Sequence, residues 1–205
     1  MESGVIELQS ISSDKQLAEN QLEILMSKNE LDEIKSQIEN LPQNGKMVEW
    51  GSGGSTVTWL SLLNKNTQLI SIEHNWDWYE KIDNFVYQYL KDRIQCDFKY
   101  LYKPPLHQDY DHQYATILEE HPYGLDDYIL PNEVNISDAD IYFIDGVSRA
   151  AVASLMLLTS SNINAVYYIH DYKGREHWYD WLVSKLPYKT TIDTMLKFSK
   201  NKDLV

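Results

Sequence analysis

From Lys46 onward, short apolar runs alternate with longer stretches of helical periodicity, the pattern of βαβ units and a parallel sheet. Met47–Trp50, Leu69–Ile72, Phe98–Tyr102, Ile141–Ile144 and Ala165–Ile169 read as five strands in chain order. Helices fit between the first two (Thr56–Leu63), after the second (Trp76–Arg93), after the fourth (Arg149–Leu158) and after the fifth (Glu176–Leu186). Thr190–Thr194 and Leu196–Phe198 form a closing pair of strands. Upstream, Asp14–Leu41 is polar with sparse apolar positions and reads as helix, while the first dozen residues have no periodicity and are expected to fray. Ser27 and Glu30 have capping-box spacing, which starts a helix carrying Leu31, Ile34 and Ile38 on one face; Leu41-Pro42-Gln43-Asn44-Gly45 ends it. The expected organisation is a helical segment over 1–45 packed on one α/β domain over 46–205.

Lys103–Asp140 interrupts this rhythm, with Pro104-Pro105, Pro122, Pro131, three His and several Tyr where a crossover helix would suffice. Long irregular insertions serve as lids or binding loops, or are decorative; here a lid over an acceptor pocket is expected. Composition narrows the partners. With 18 Lys+Arg against 31 Asp+Glu, the net charge of −13 repels phosphate backbones and anionic lipid, and the basic residues are not clustered. No nucleic-acid or membrane partner is expected. A lone Cys96, without a basic N-terminus leading into an apolar run, fits a reducing, cytoplasmic setting. The 15 Tyr and 6 Trp suit either a pocket or interface, or the amphipathic edge of a core.

Chemistry concentrates first at Glu49-Trp50-Gly51-Ser52-Gly53-Gly54-Ser55-Thr56, a glycine-rich turn between a strand and a helix. Glycines there let the backbone approach a ligand closely, and the N–H groups of the following helix favour a polar or anionic one. Glu73 closes the second strand ~20 residues later, where a carboxylate can accept both hydroxyls of a ribose; His74 follows it. A dinucleotide fingerprint would carry glycine at the sixth position of the turn, where this chain has Thr56. Glu49 before the turn is badly placed beside a pyrophosphate and well placed to hold a cationic amino-acid group, directly or through water. The combination suits S-adenosylmethionine, with its ammonium and sulfonium charges.

Glu49-x-Gly51-x-Gly53 followed by Glu73 resembles the first two motifs of class I S-adenosylmethionine-dependent methyltransferases. The resemblance implies a Rossmann-like α/β fold of about seven mostly parallel strands with an antiparallel last strand. It also implies a cofactor site of Glu49, Gly51, Ser52, Gly53, Ser55, Thr56, Glu73 and His74, the two glycines lining the methionine portion and Glu73 the ribose. Ser55 stands where many members have a third glycine.

Asp145 and His170-Asp171 sit just past the fourth and fifth strands, where open α/β sheets place their ligands. Two such acids are similar to those of catechol-type O-methyltransferases, which implies Asp145 and Asp171 as ligands of a divalent metal; the Asn expected after the second acid is Tyr172 here. A patchier likeness, through Trp59, Asn64, Thr67, Glu73, Trp76 and His170-Asp171, is to the glucuronoxylan 4-O-methyltransferase-like group. It implies a carbohydrate hydroxyl as acceptor. Asp145, His170 and Asp171 are therefore expected to converge on the transferred methyl, with His170 or Asp171 as base. Competing roles are a cap on the next helix for Asp145 and a core position for His170. Arg149 and Arg175 suit an anionic substrate or pairing with surface acids, and Trp76, Trp78 and Tyr79 suit adenine stacking or packing. The leading expectation is O-methylation of a small-molecule or carbohydrate hydroxyl; the alternatives are a non-catalytic cofactor- or partner-binding module and, third, an NAD-dependent oxidoreductase.

Overall fold

The computed structural model describes residues 22–106, 124–186 and 188–205. The first dozen residues, the start of the helical segment from Asp14, and residues 107–123 of the Lys103–Asp140 insertion lie outside them. In chain order the elements are α1 (Lys28–Glu39), β1 (Lys46–Trp50), α2 (Gly54–Leu62), β2 (Gln68–Glu73), α3 (Trp76–Phe85), β3 (Asp97–Tyr102), α4 (Asp126–Ile129), β4 (Ile141–Ile144), α5 (Arg149–Thr159), β5 (Val166–Ile169), α6 (Asp180–Val183), β6 (Tyr188–Ile192) and β7 (Met195–Ser199). They build one seven-stranded sheet in the order β3-β2-β1-β4-β5-β7-β6, with β7 antiparallel to both neighbours.

Alternation along the central strands covers both faces of this sheet. Met47, Leu69, Phe143 and Tyr168 pack under α1, α2 and α3, whereas Val48, Trp50, Ile70, Tyr142 and Tyr167 pack under α4, α5 and α6. Many of the aromatics are structural. Tyr142, Tyr167 and Phe198, paired across β4, β5 and β7, stack with ring centroids 4.8 and 4.9 Å apart.

Helix α1 has the expected capping box, with Ser27 and Glu30 bonded reciprocally, and buries Leu31, Ile34 and Ile38. Two of its acids fasten it to the sheet. Glu33 meets Lys197 Nζ at 2.8 Å and accepts the Tyr168 hydroxyl at 2.9 Å, while Glu30 accepts the Thr194 N–H and hydroxyl. The expected helix over Glu176–Leu186 is instead a 3-10 turn (Glu176–Trp178) followed by α6. The break falls at Tyr179, whose ring is drawn fully into the core. The expected helix over Trp76–Arg93 runs as α3 and then a π-helical turn, Val86–Leu90. Of the insertion, Leu125, Tyr128 and Ile129 are buried against the sheet, and Tyr128 accepts the Trp50 indole N–H at 2.9 Å.

Candidate functional site

At the carboxyl ends of β1, β2 and β4 lies a cavity of about 830 Å³, the size of a small-molecule site. Its lining combines the Gly51–Ser55 turn, the start of α3 with Glu73, His74 and Trp78, the segment Asp145–Val147, Arg149, Arg175, and the N-terminal strap Glu23–Met26. No described residue of the insertion lines it, so whether the insertion forms a lid depends on residues 107–123, outside the described chain.

The turn after β1 needs glycine for a local reason. Gly51 has φ +86°, and a Cβ there would lie 2.5 Å from the Gly146 nitrogen, because the turns after β1 and β4 pack backbone to backbone. Glu73 holds the other side of the turn. One of its oxygens accepts from the Ser52 N–H at 2.8 Å and hydroxyl at 3.1 Å, and the other from the His74 and Asn75 N–H groups at 2.9 and 2.8 Å. The Ser52 hydroxyl also meets the Tyr100 hydroxyl at 2.6 Å, and Trp78 donates its indole N–H to the Ser52 carbonyl. Tyr100 and Trp78 thereby brace the turn from β3 and α3.

Glu49 does not face the cavity. The two-residue period of β1 points it with Met47 toward α2, and the register sets it beside Ser71. It is fully buried and accepts four donors: Ser55 and Trp59 on one oxygen at 2.6 and 3.0 Å, Thr56 and Ser71 on the other, both at 2.7 Å. Thr56 is also fully buried, and its hydroxyl accepts the Gly53 N–H at 2.9 Å. These two expected ligand contacts are therefore supports under the turn. Burial pushes the Glu49 carboxyl up to about 7, against the pull of Ser55, Thr56 and Ser71. Gly51, Ser52, Gly53, Ser55, Glu73 and His74 do line the cavity.

The ends of β4 and β5 bring Asp145, His170 and Asp171 together, with ligating atoms all within 4.8 Å of one another. Only Asp145 of the three lines the cavity. His170 is buried, its Nδ1 bonded to Asp145 Oδ1 at 2.9 Å, and its Nε2 faces Glu30 Oε2 at 3.7 Å. Burial favours the neutral ring, but the carboxylates of Asp145 and Glu30, with Asp171 nearby, raise His170 to about 10. The ring is buried, lies off the cavity wall and has its Nδ1 on Asp145, so the expected base role does not fit His170. Asp171, at φ +52°, turns toward Arg149 and Arg175 at 3.8 and 3.7 Å and leaves the cavity wall. The cap reading for Asp145 also fails, since Ser148 precedes α5 as its N-cap.

Arg149 decides the metal question. Its guanidinium is 3.4 Å from Asp145 Oδ1 and 3.8 Å from Asp171 Oδ2, and it donates to the carbonyls of Gly146 and His170. The side chain is nearly buried and fixed by those carbonyls. A divalent cation between the two acids would sit against this fixed positive charge, with Tyr172 in place of a third oxygen ligand. The expected metal pair of Asp145 and Asp171 does not fit. Sequence reasoning missed Glu30, which it read only as a cap; the four-residue spacing of Asp145 and Arg149 was the available signal for that pair.

No protein-family model matches this chain, and no curated protein matches it. Solved structures do. A methyltransferase-like protein from Silicibacter pomeroyi superposes with a TM-score of 0.66 at 17% identity, over 87% of this chain and 88% of that one. A methyltransferase from Geobacter sulfurreducens gives 0.52 at 14% identity, over 87% and 81%. The O-methyltransferase TomG from Streptomyces achromogenes, involved in tomaymycin synthesis and solved in complex with S-adenosylmethionine, gives 0.51 at 12% identity, over 93% and 92%. With the strand order above, the chain has the Rossmann-like methyltransferase fold.

Proposed function

We propose that this protein binds S-adenosylmethionine in the cavity and transfers its methyl group to a hydroxyl of a small acceptor, without a metal ion. The observation that carries this reading is the convergence on one cavity of the glycine turn, the Glu73 carboxylate and Asp145. The donor set matches the cofactor's chemistry. The N–H groups opening α2 suit the amino-acid carboxylate, Glu73 suits the ribose diol, and Trp78 offers a flat face for adenine. When bound, the cofactor supplies an electrophilic methyl on a sulfonium; the protein must orient the acceptor and accept its proton.

Asp145 is the cavity-lining carboxylate suited to that task. His170 and Arg149 bond it and aim it, and a carboxylate is a weak base, which favours acceptors with an acidic hydroxyl, such as phenols, over simple alcohols. A carbohydrate hydroxyl is the second acceptor class, retained because Trp178, which lines the cavity, offers an aromatic face of the kind sugars stack on. Isothermal titration of the full chain with S-adenosylmethionine and with NAD tests the cofactor assignment; binding of NAD alone would reject it. Turnover of radiolabelled S-adenosylmethionine with panels of phenols and sugars then separates an enzyme from a non-catalytic binding module. Activity should persist in excess chelator, and its loss there with recovery on adding a divalent cation would reject the metal-free mechanism.

A further inference from the structure

We propose that the acceptor is an aromatic acid, with its carboxylate on Arg175, its ring against Trp178 and its hydroxyl at Asp145. This names the substrate class of the methyl-transfer site and rests on that reading of the cavity.

The chain's net charge of −13 works against any anionic ligand, so an anion needs a local cation to hold it. Two guanidiniums line the cavity, and they differ. Arg149 is buried, donates to the Gly146 and His170 carbonyls, and stands between Asp145 and Asp171. Its donors are turned to the protein. Arg175 is half-exposed, and its ion pair among the described residues is with Asp171 at 3.7 Å, too long for a hydrogen bond. Glu176, the acid next to it in the chain, instead accepts the Gly174 N–H at 2.8 Å. Charges therefore alternate along Asp145, Arg149, Asp171 and Arg175, and the two ends of that series, a carboxylate and a guanidinium, both line the cavity.

Trp178 completes the arrangement. In the 3-10 turn Glu176–Trp178, the Trp178 N–H bonds the Arg175 carbonyl at 3.0 Å, and three residues per turn set side chains i and i+3 one above the other. The guanidinium carbon accordingly lies 5.8 Å from the indole centroid, and both side chains line the cavity. A planar fork of N–H donors beside an aromatic face complements an aryl carboxylate: the fork takes both carboxylate oxygens and the indole takes the ring. Asp145 repels the acid group and so turns the hydroxyl end of the ring toward itself. Methylation there forms an aryl ether, sends the hydroxyl proton to Asp145 and leaves the carboxylate unchanged.

The test uses the full chain with meta- and para-hydroxybenzoate and hydroxycinnamate, each beside its amide, which is neutral and nearly the same shape. In calorimetric titrations of the chain saturated with S-adenosylhomocysteine, at least one acid should bind about tenfold or more tighter than its amide. Arg175→Gln should abolish that preference, and Arg175→Lys should restore part of it, because a point charge lacks the fork. Trp178→Leu should weaken acid and amide alike. Lys173→Gln removes an exposed cation that does not line the cavity and should leave the preference intact. Folding of each variant is checked by circular dichroism, and S-adenosylhomocysteine affinity should be unchanged in Arg175→Gln. With S-adenosylmethionine, the preferred acid should yield an alkali-stable ether. Acids bound no better than amides, a preference that survives Arg175→Gln or falls equally in Lys173→Gln, or a methyl ester or no product from the acid overturns the proposal. So does a loss of S-adenosylhomocysteine binding in Arg175→Gln, which would put Arg175 on the cofactor's own carboxylate. If the wild-type chain binds no S-adenosylhomocysteine, the cofactor reading fails by itself, and titration of the ligand-free chain with acid and amide still decides the role of Arg175.

Discussion

The two halves of the cavity satisfy their acids in opposite ways. At the ends of β1 and β2, Glu49 and Glu73 are held mainly by neutral donors: hydroxyls, an indole and backbone N–H groups. At the ends of β4 and β5, Asp145 and Asp171 are held by the His170 ring and two guanidiniums. Neutral donors fix geometry and are indifferent to salt. Charged partners hold a carboxylate ionised and make the surroundings answer to pH. The first half is thereby built as a rigid cradle and the second as an electrostatic setting for a reacting group.

The largest break in this comparison is Gly51→Ala. The positive φ and the 2.5 Å approach to the Gly146 nitrogen leave no room for a Cβ between two backbones, and those two backbones belong to the two halves. The variant should lose about 3 kcal/mol or more of stability, read by urea denaturation, together with cofactor binding. A folded, fully binding variant would mean that the two turns are not locked together.

Next comes Glu49. Glu49→Ala leaves three hydroxyls and an indole N–H in the core without their acceptor and should cost about 2–4 kcal/mol. The pH dependence distinguishes the halves. Raised to about 7 from an ordinary 4.5, Glu49 contributes stability that is full below pH 4.5 and lost as pH rises to about 7. His170, raised to about 10 from 6.5, contributes stability that is full below pH 6.5 and lost as pH rises to about 10. Glu30, where burial pushes up but the nearby His170 ring and hydrogen bonds from Thr194 and Ser27 hold the carboxyl down to about 2, contributes stability present above pH 4.5 and lost as pH falls toward 2. Denaturation midpoints across pH should lose the decline between pH 4.5 and 7 in Glu49→Gln and that between 6.5 and 10 in His170→Gln. A single variant removing both declines would show one shared network.

What was legible in the sequence follows the same division. The strands along the chain and the glycine turn depend on local signals: apolar runs, glycines, and an acid at a strand end. The strand assignments therefore agree with the structure to within one or two residues. Glu49 was misread because nearness to the turn in sequence was taken for nearness to the ligand, although alternation along Met47–Trp50 already sends it toward α2. The charged half depends on contacts between distant segments. Glu30 lies 140 residues before His170 and looks, locally, like any capping acid; only the docking of α1 on β5 and β7 brings them together. For Arg149 the sequence left substrate binding and pairing with acids both open, because nothing local tells that both acids of the expected metal pair are its partners.

A smaller effect is expected at Glu73, which sharpens the account of the neutral half. Its two oxygens already accept four protein donors, so ribose hydroxyls would share or displace them. Glu73→Ala should weaken S-adenosylmethionine by about 1–3 kcal/mol in calorimetric titration while the chain stays folded. Unchanged affinity would remove Glu73 from the site.

The smallest effect belongs to Asp171, and it tests whether the charged half has one working carboxylate or two. Asp171→Asn keeps the shape, and asparagine accepts the left-handed backbone at φ +52° as readily as aspartate does, so any change reflects charge alone. Asp171 touches Arg149 and Arg175 at 3.8 and 3.7 Å and is 43% exposed, where solvent screens such pairs. Removing its charge should leave cofactor affinity unchanged and lower methyl transfer by about threefold or less, whereas Asp145→Asn should lower it by about a hundredfold or more with the cofactor still bound. Equal losses at the two positions would return Asp171 to the reacting centre. The cavity wall would then have to rearrange when acceptor binds, bringing Asp171 off its two arginines and into the space that Asp145 lines here.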